Sequence, residues 1–304
     1  MSEADFHKQI KKFNKVVIWG LRTKKHTHRY IHHHFYVTLK KLGTTVAWVD
    51  DKEGNASVLA PNDLVISVGL TSVHLPIKDS VYYCLHNCSD DIHAKIDPSR
   101  NIRLQVYTNP AEQASEKWDE VTLFDKKTRT LFQPWATNLL PDEFKKPISK
   151  PKSNTVIWVG SIWNNELDQG NINEIQALKY VLKKRNIKFV NLKLLPDSIH
   201  TQMIRYSRIA PAIAGRWQAE NNYLPCRMWK NISYGQLGVS NVKKFESVFQ
   251  GCSIGGDTIE ELIDNTLSIA PDKYRDMVLE QQEIVKKHTF IERLTNIMTA
   301  FEHI

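Results

Sequence analysis

Short apolar runs alternate with segments of helical spacing along the first half of the chain. Residues 16–20 form an apolar run that ends in glycine, which predicts a buried parallel strand. Residues 29–42 place apolar side chains on one helical face and are followed by Gly43, a common helix end. Further strands are predicted at 45–49, 64–68, 81–85, 102–107 and 121–124. This alternation predicts one parallel sheet with crossover helices, and therefore an α/β fold.

The same pattern restarts after a break in the middle of the chain. Residues 145–152 combine prolines and lysines without apolar periodicity, which predicts an exposed linker. Residues 155–160 then repeat the opening strand, including a tryptophan and a final glycine. Strands are expected at 188–192, 209–213 and near Val239, and helices at 172–185, 198–206, 226–237 and 258–269, with Ser198 and Thr258 as N-caps. One or two long helices are expected over 272–303. The sequence therefore predicts two α/β domains.

Composition narrows the class of protein without pointing to one activity. The 304 residues are 41% hydrophobic and 24% charged, which fits a globular chain able to bury a core. No stretch approaches the roughly 20 apolar residues of a membrane helix, and the N-terminus lacks an apolar signal core. Four cysteines are too few for a disulfide scaffold. We therefore expect a cytoplasmic protein.

Positive charge is concentrated near the N-terminus. The net charge is +8, and the first 41 residues hold ten lysines and arginines against two acidic residues, together with six of the twelve histidines. A basic field of this kind attracts polyanions, nucleotide phosphates or an anionic membrane surface, although a basic face is more often only solubilising. Charge alone therefore leaves open a peripheral membrane contact and an acidic substrate.

Histidines lie where a parallel sheet presents its ligand sites. Ligands of such sheets bind beyond the carboxyl ends of the strands. The loop after Gly20 lacks the glycine fingerprint of dinucleotide-binding proteins but holds His26 and His28 at the start of a helix. A neutral imidazole there can take a proton from a hydroxyl group, although either histidine can equally be a solvated surface residue. His86 follows the fourth predicted strand and suits recognition of hydroxyl groups.

No metal site is expected from the sequence. Cys84, His86 and Cys88 alternate along one segment, but the second close pair of ligands that would complete a zinc site is missing. The Asp-Asp pairs at 50–51 and 90–91 lack the Asp-x-Asp spacing of a metal–diphosphate site. A reaction on a diphosphate would therefore have to rely on cationic side chains.

Two cations stand at the start of a predicted helix in the second half. A polar loop after the strand at 209–213 leads into a helix that begins near residue 225, where Arg227 and Lys230 share the face of the first turn. Two cations beside the N–H groups of a helix start suit a diphosphate. The alternative is an ordinary amphipathic helix whose apolar residues lie in the core.

Short polar residues extend this candidate site. Glu220 in the loop can accept hydrogen bonds from ribose or sugar hydroxyls, and Asn231 lies within the helix without an evident packing reason. Ser161 follows Gly160 at the end of the strand that restarts the pattern, where its hydroxyl can donate to a phosphate. These residues complete the set of donor-binding candidates.

The order of elements resembles that of glycosyltransferases with the GT-B fold. The resemblance spans nearly the whole chain and is motif-like at 17–32, 132–140, 159–165 and 209–241. Such enzymes have two Rossmann-like domains that face each other across a cleft, and the C-terminal domain holds the nucleotide-sugar. The fold class implied is therefore α/β with two such domains.

The resemblance also implies domain limits. It places an N-terminal, acceptor-side domain at 1–145 and a C-terminal domain that binds the nucleotide-sugar at 151–287. The last helix, at about 288–304, is similar to the C-terminal helix that in this fold crosses back to the first domain.

The resemblance assigns a role to each donor-side candidate. Arg227 and Lys230 would neutralise the donor diphosphate, so that no metal is required. Glu220 would hold ribose or sugar hydroxyls, and Ser161 would contact a phosphate. His86 would contact the donor sugar.

On the acceptor side, His26 or His28 would be the base of an inverting reaction. The Glu-x7-Glu motif of many retaining members is absent after Glu220, which leaves the stereochemical class open. The predicted function is transfer of a sugar from a nucleoside-diphosphate donor to a hydroxyl of a glycan, with no metal, no cofactor besides the nucleotide-sugar and no nucleic acid as a partner. The alternatives are an NAD-dependent oxidoreductase, which the missing glycine fingerprint disfavours, and a non-catalytic protein that binds nucleic acid or another polyanion.

Overall fold

The chain divides into two compact units. The computed structural model describes residues 3–24, 26–52, 55–69, 74–109, 113, 115–149 and 153–304. The first unit consists of Met1–Gln133 together with Phe290–Ile304, and the second of Pro134–Thr289. The division thus falls earlier in the chain than the predicted limit at 145. Among the described residues, no helix is long and apolar enough to cross a membrane.

The first unit is built on one large, mostly parallel sheet. Its strands are β1 (Val16–Trp19), β2 (Val46–Val49), β3 (Leu64–Val68), β4 (Tyr82–His86), β5 (Asn101–Gln105), β6 (Glu116–Lys117), β7 (Leu123–Asp125) and β8 (Thr130–Phe132). Their order is β2-β1-β3-β4-β5-β8-β7-β6. The helices of this unit, numbered along the whole chain, are α1 (Glu3–Ile10), α2 (Thr27–Lys41), α3 (Asp90–His93) and α11 (Phe290–Ala300).

The far edge of this sheet departs from the expected parallel arrangement. The pairs β7–β8 and β6–β7 are antiparallel. A tight turn joins β7 to β8, in which the Asp125 carboxylate accepts hydrogen bonds from Lys127 N and Thr128 Oγ1. Strands β6 and β8 have two and three residues, too few to show a hydrophobic period, and were not predicted. Strand β7 is as short as β8 but overlaps the apolar run from which a strand was predicted at 121–124.

The last helix supplies part of the core of the first unit. Helix α11 packs against α1 and α2, and the rings of Phe290 and Phe35 meet edge to face at 5.1 Å between centroids. Gln133 Nε2 donates to the Arg293 carbonyl at 3.1 Å, and Asn296 Nδ2 donates to Gln133 Oε1 at 3.1 Å. Side-chain and backbone bonds therefore fix the C-terminal segment within this unit.

The second unit is an α/β layer with short parallel strands. Its strands are β9 (Thr155–Val159), β10 (Lys188–Leu192), β11 (Ala210–Pro211) and β12 (Gly238–Val239). Its helices are α4 (Ile172–Lys184), α5 (Asp197–Tyr206), α6 (Arg216–Glu220), α7 (Cys226–Ser233), α8 (Lys243–Val248), α9 (Ile259–Ser268) and α10 (Pro271–Val285). Parallel pairs join β9 to β10 and β11 to β12, and β11 lies beside β9.

Several boundaries in this unit differ from the sequence prediction. The strand expected at 209–213 keeps only two residues, and α7 ends at Ser233 instead of 237. Helix α5 has Pro196 as its N-cap, so the prediction of Ser198 as the cap is wrong. The predicted cap at Thr258 is confirmed, because its side chain accepts from Glu261 N at 3.1 Å.

The side chain of a buried glutamine forms hydrogen bonds with the backbone of β12. Gln281 of α10 accepts from Gly238 N at 2.7 Å and donates to the carbonyls of Gly238 and Cys252 at 3.2 and 2.8 Å. Tyr274 Oη, also on α10, donates to Gln236 Oε1 at 2.5 Å and accepts from Leu237 N at 3.0 Å. These bonds satisfy backbone groups that a two-residue strand leaves without partners.

Candidate functional site

An arginine from α7 lies on a tryptophan at the end of β9. The Arg227 Cζ atom is 3.7 Å from the centre of the Trp158 ring, so the guanidinium stacks on the indole. Gly160, directly after β9, has a φ of +143°, and a Cβ at this position would collide with Arg227 Nη2. The glycine is therefore required both for the backbone conformation and for the approach of the arginine.

Arg227 has unused hydrogen-bonding capacity. Among the residues that the structure describes, its buried Nε has no hydrogen-bond partner and its guanidinium forms no ion pair with a carboxylate. Burial lowers the pKa of this guanidinium, and the nearby Cys226 and Tyr223 oppose that shift. A half-buried cation whose buried Nε lacks an acceptor in the described part of the chain suits an anionic ligand.

Lys230 lies one helical turn further along α7. The side chain is only 4% exposed, and its Nζ donates to His200 Nδ1 at 3.0 Å. Burial lowers the pKa of Lys230 to about 8; Cys226 and Asp197 oppose this shift, while Arg227 adds to it. The structure thus places Lys230 close enough to Arg227 for the two charges to interact, as the helical spacing predicted.

The start of α7 adds backbone donors to these cations. Pro225 is the N-cap of α7, and the helix begins at Cys226. The first N–H groups of a helix have no partners within it, and the helix dipole is positive at this end. Arg227 therefore lies in the first turn of α7, next to backbone N–H groups that favour binding of a phosphate.

Ser161 and Glu220 have different surroundings. Ser161 follows Gly160 and is half-buried, and its contact with a phosphate stays a prediction. Glu220 ends α6, and its carboxylate accepts from Arg216 Nε at 2.9 Å. Its side chain is 58% exposed, so the carboxylate is accessible, and its binding of sugar hydroxyls stays a prediction.

The polar residues within α7 have packing roles that the sequence did not reveal. Asn231 Nδ2 donates to the Ala210 carbonyl at 2.8 Å and so ties α7 to β11. The expectation that Asn231 lacks a packing reason is therefore wrong. Its Oδ1 is buried without a hydrogen bond from the part of the chain that the structure describes, and a donor-binding role for that atom stays a prediction.

In the first unit, two histidines meet at the carboxyl edge of the sheet. His86 ends β4, and its Nδ1 donates to the Leu104 carbonyl at 2.8 Å. The His28 ring lies 5.6 Å from the His86 ring, centroid to centroid. Burial lowers the pKa of His86 to about 4 and that of His28 to about 3, and His86 and His26 also contribute to the shift of His28. Both rings are therefore neutral near pH 7.

His26 has a structural role at the start of α2. Its Nδ1 accepts a hydrogen bond from His28 N at 3.2 Å, which makes His26 the N-cap of the helix. The ring is exposed, so Nε2 remains accessible for proton transfer. The choice between His26 and His28 as a base stays open.

Two residues that contact the donor-side cations were not singled out from the sequence. Trp158 supports Arg227, and His200 accepts from Lys230. His32 is fully buried, donates from Nδ1 to the Gly20 carbonyl and accepts at Nε2 from Val68 N, which joins α2 to β1 and β3. The only sequence signal was the tryptophan shared by the two repeated strands.

Comparison with known proteins gives matches in structure but not in sequence. No protein-family model matches the chain, and a comparison with curated proteins finds no match. An alpha-glucosyltransferase in complex with UDP and a 13-mer DNA containing a HMU base aligns with a TM-score of 0.61 at 10% identity, over 94% of this chain and 99% of that one. An alpha-glucosyltransferase in complex with UDP aligns with a TM-score of 0.60 at 10% identity, over 94% and 99%.

A third solved structure widens the comparison. The DNA-modifying enzyme beta-glucosyltransferase, determined in the presence and absence of the substrate uridine diphosphoglucose, aligns with a TM-score of 0.55 at 13% identity, over 95% of this chain and 98% of that one. The expectation that nucleic acid is no partner is wrong, because a structure that matches along almost the whole chain is a complex with DNA. At the level of the fold the predicted resemblance is confirmed: the chain has the fold of the GT-B glycosyltransferases.

Proposed function

We propose that this protein transfers a sugar from a uridine-diphosphate donor to a hydroxyl group on DNA. The observation that carries the proposal is Arg227, stacked on Trp158 against Gly160 with a buried Nε that has no acceptor in the described part of the chain. The site stands at the carboxyl end of a parallel strand, where α/β proteins of this kind bind nucleotides.

Positive side chains can stabilise the negative charge of a departing nucleoside diphosphate. Arg227 offers N–H donors to a phosphate, and Lys230 adds a buried positive charge. Cations held in place by the protein stabilise the negative charge that develops on the leaving group. We therefore propose a metal-independent reaction. UDP is the nucleotide to test first, because the solved glucosyltransferases of this fold were determined with UDP or uridine diphosphoglucose.

The acceptor is proposed from charge and from the structural neighbours. The net charge of +8, with ten basic residues in the first 41, favours a polyanionic acceptor. Two solved enzymes of this fold act on or bind DNA. A hydroxyl of a glycan, the acceptor that the sequence first suggested, is the competing acceptor in the test.

The proposed proton acceptor is His26 or His28. A neutral imidazole is required for this role, and burial keeps His28 neutral by lowering its pKa to about 3. That low pKa also makes His28 a weak base, whereas His26 is exposed and uses only Nδ1 as the helix cap.

Binding of UDP to Arg227 variants tests the donor site. Arg227→Ala removes a charge-assisted contact worth roughly 1.5–3 kcal/mol, so we expect the Kd for UDP to rise about ten- to a hundredfold. Isothermal titration calorimetry measures this in EDTA, with Arg275→Ala as the control because Arg275 is an exposed residue of α10. Unchanged UDP binding by Arg227→Ala, or stabilisation of the wild type by NAD alone, would contradict the proposal.

Transfer is then assayed with labelled UDP-glucose in EDTA. DNA with hydroxymethylated bases and a mixture of oligosaccharides serve as competing acceptors. Label on the DNA supports the proposed acceptor, whereas label only on oligosaccharide refutes it and leaves the donor site standing. Activity that appears only after Mg²⁺ is added would refute the metal-independent mechanism.

A further inference from the structure

A basic groove runs along the outer strand of the second unit. It is a shallow, open depression of about 670 Å³ between the last turns of α4 and strand β10. Lys179 and Lys183 line it from the helix, and Lys188 lines it from the strand. No acidic residue lines the groove. The groove therefore carries three positive charges without a negative charge on its own walls.

Two neighbouring basic residues on α4 have a structural role, because they form ion pairs within the protein. Lys184 and Arg185, which follow directly on α4, form ion pairs with Glu260 and Asp264 of α9. By contrast, none of the three groove lysines forms an ion pair with a carboxylate in the described ranges.

The arrangement of the lysines also opposes folding. Lys179 and Lys183 are four residues apart on one helix, a spacing at which like charges repel. All three groove lysines are exposed, so packing does not account for them. Groups that add repulsion and are not paired within the fold are suited to an external anion.

The groove has a flat, partly apolar floor. Lys179 Nζ lies 5.2 Å from the centre of the Phe189 ring, which is half-buried. Asn186 and Asn191 add amide groups at the ends of the strand. The apolar residues of the lining are Ile187, which is buried, and Phe189, which is half-buried beneath a lysine, so neither is an exposed anchor for insertion into a membrane.

We infer that this groove binds the phosphate backbone of a polynucleotide. Two of the lysines come from α4 and one from β10, so the groove offers cations from two neighbouring elements. Several cations without carboxylate partners in one open groove match the repeated charges of a phosphodiester chain, and binding releases the counterions of that chain. The inference rests on the proposed function only in naming DNA as the partner. Contacts between these lysines and DNA phosphates do not require that the protein transfer a sugar.

Charge removal in the groove tests this inference. The probe is a fluorescein-labelled DNA duplex of mixed sequence, and anisotropy gives the Kd at several salt concentrations. In Lys179→Gln/Lys183→Gln/Lys188→Gln we expect at least about tenfold weaker binding, and a log Kd versus log salt slope that is smaller by about two to three, since each lost phosphate contact removes roughly 0.9. The melting temperature should stay close to that of the wild type, because relief of the like-charge repulsion offsets the lost contact of Lys179 with Phe189.

A matched variant separates the groove from general charge. Lys127→Gln/Lys273→Gln/Lys287→Gln removes the same charge at exposed lysines outside the groove. Equal loss of DNA binding in both variants, or DNA binding by the groove variant at the wild-type level, would overturn the inference. Loss of sedimentation with phosphatidylserine vesicles while DNA binding is kept would overturn it in favour of a membrane.

The donor site is measured in the same proteins. UDP binding by the groove variant should equal that of the wild type. If the wild type binds no UDP while the groove variant still loses DNA, the proposed function fails and the groove assignment stands.

Discussion

At the scale of single residues, the candidate donor site contains a buried lysine, Lys230. Lys230 is 4% exposed, and its Nζ donates to the imidazole of His200. Burial lowers its pKa to about 8, with Cys226 and Asp197 opposing the shift. This lysine therefore changes its charge within the pH range in which binding can be measured.

The affinity for UDP should fall as pH rises through about 8. The diphosphate is an anion, so it binds the protonated form of Lys230 more tightly, and beyond the pKa the Kd should rise by up to about tenfold per pH unit. Calorimetric titrations between about pH 7 and about pH 9 measure this in the wild type, Lys230→Arg and Lys230→Met. The arginine variant should show little dependence, since its charge persists. A wild-type curve parallel to that of Lys230→Met would rule out a role for this charge.

The stability of the ligand-free protein should change in the opposite direction. The pKa of Lys230 is lowered from 10.5 in the unfolded reference to about 8 in the folded protein, so between these values the unfolded chain binds more protons. The contribution of this group to the free energy of unfolding therefore rises with pH across that window. Deprotonation of Lys230 therefore does not unfold the protein at high pH, and weaker UDP binding there cannot be attributed to such unfolding.

The sequence predicted the cations of the site but not their supports. Arg227 and Lys230 were recognisable because they follow a proline that starts a helix, so local spacing alone places them on one face. Trp158 and His200 contact them from β9 and α5, far away along the chain. Such contacts depend on how the elements pack, which no local period encodes.

At the scale of elements, the accuracy of the sequence prediction follows strand length. Strands β3 and β10 have the predicted bounds, because five residues are enough for an apolar or alternating pattern to appear. Strands β11 and β12 have only two residues each. Side chains from outside the sheet complete their hydrogen bonds: Gln281 of α10 bonds to Gly238 of β12, and Asn231 of α7 bonds to Ala210 of β11. A short strand is thus defined by its tertiary partners.

Replacement of Gln281 should destabilise the second unit. Gln281→Leu would leave Gly238 N and the Cys252 carbonyl buried without partners, at a cost of roughly 1–3 kcal/mol for each group. We expect the melting temperature to fall by several degrees, as measured by differential scanning calorimetry. Gln202→Leu is the control, because Gln202 is exposed on α5. An equal melting temperature in Gln281→Leu and the wild type would show that these bonds are dispensable.

At the scale of the whole molecule, the chain order and the compact units do not coincide. The segment Phe290–Ile304 belongs to the first unit, although the second unit precedes it in the sequence. Apolar periodicity predicted a helix in this region, and only the resemblance to a known fold suggested that it joins the N-terminal half. Periodicity reports which face of a helix is buried, and it carries no information about the partner.

Two matched core substitutions should loosen different units. Ile297 of α11 and Ile263 of α9 are both fully buried, and replacement of either by alanine should cost roughly 2–5 kcal/mol. Hydrogen exchange should then accelerate in α1 and α11 for Ile297→Ala, but in α4 and α9 for Ile263→Ala, because these helices pack together.

UDP at about 100 times its Kd should restore roughly 2.7 kcal/mol of protection to the second unit of Ile263→Ala, and much less to the first unit of Ile297→Ala. If UDP protected both variants equally, or if exchange rose evenly along the chain, the assignment of the nucleotide to the second unit would not stand.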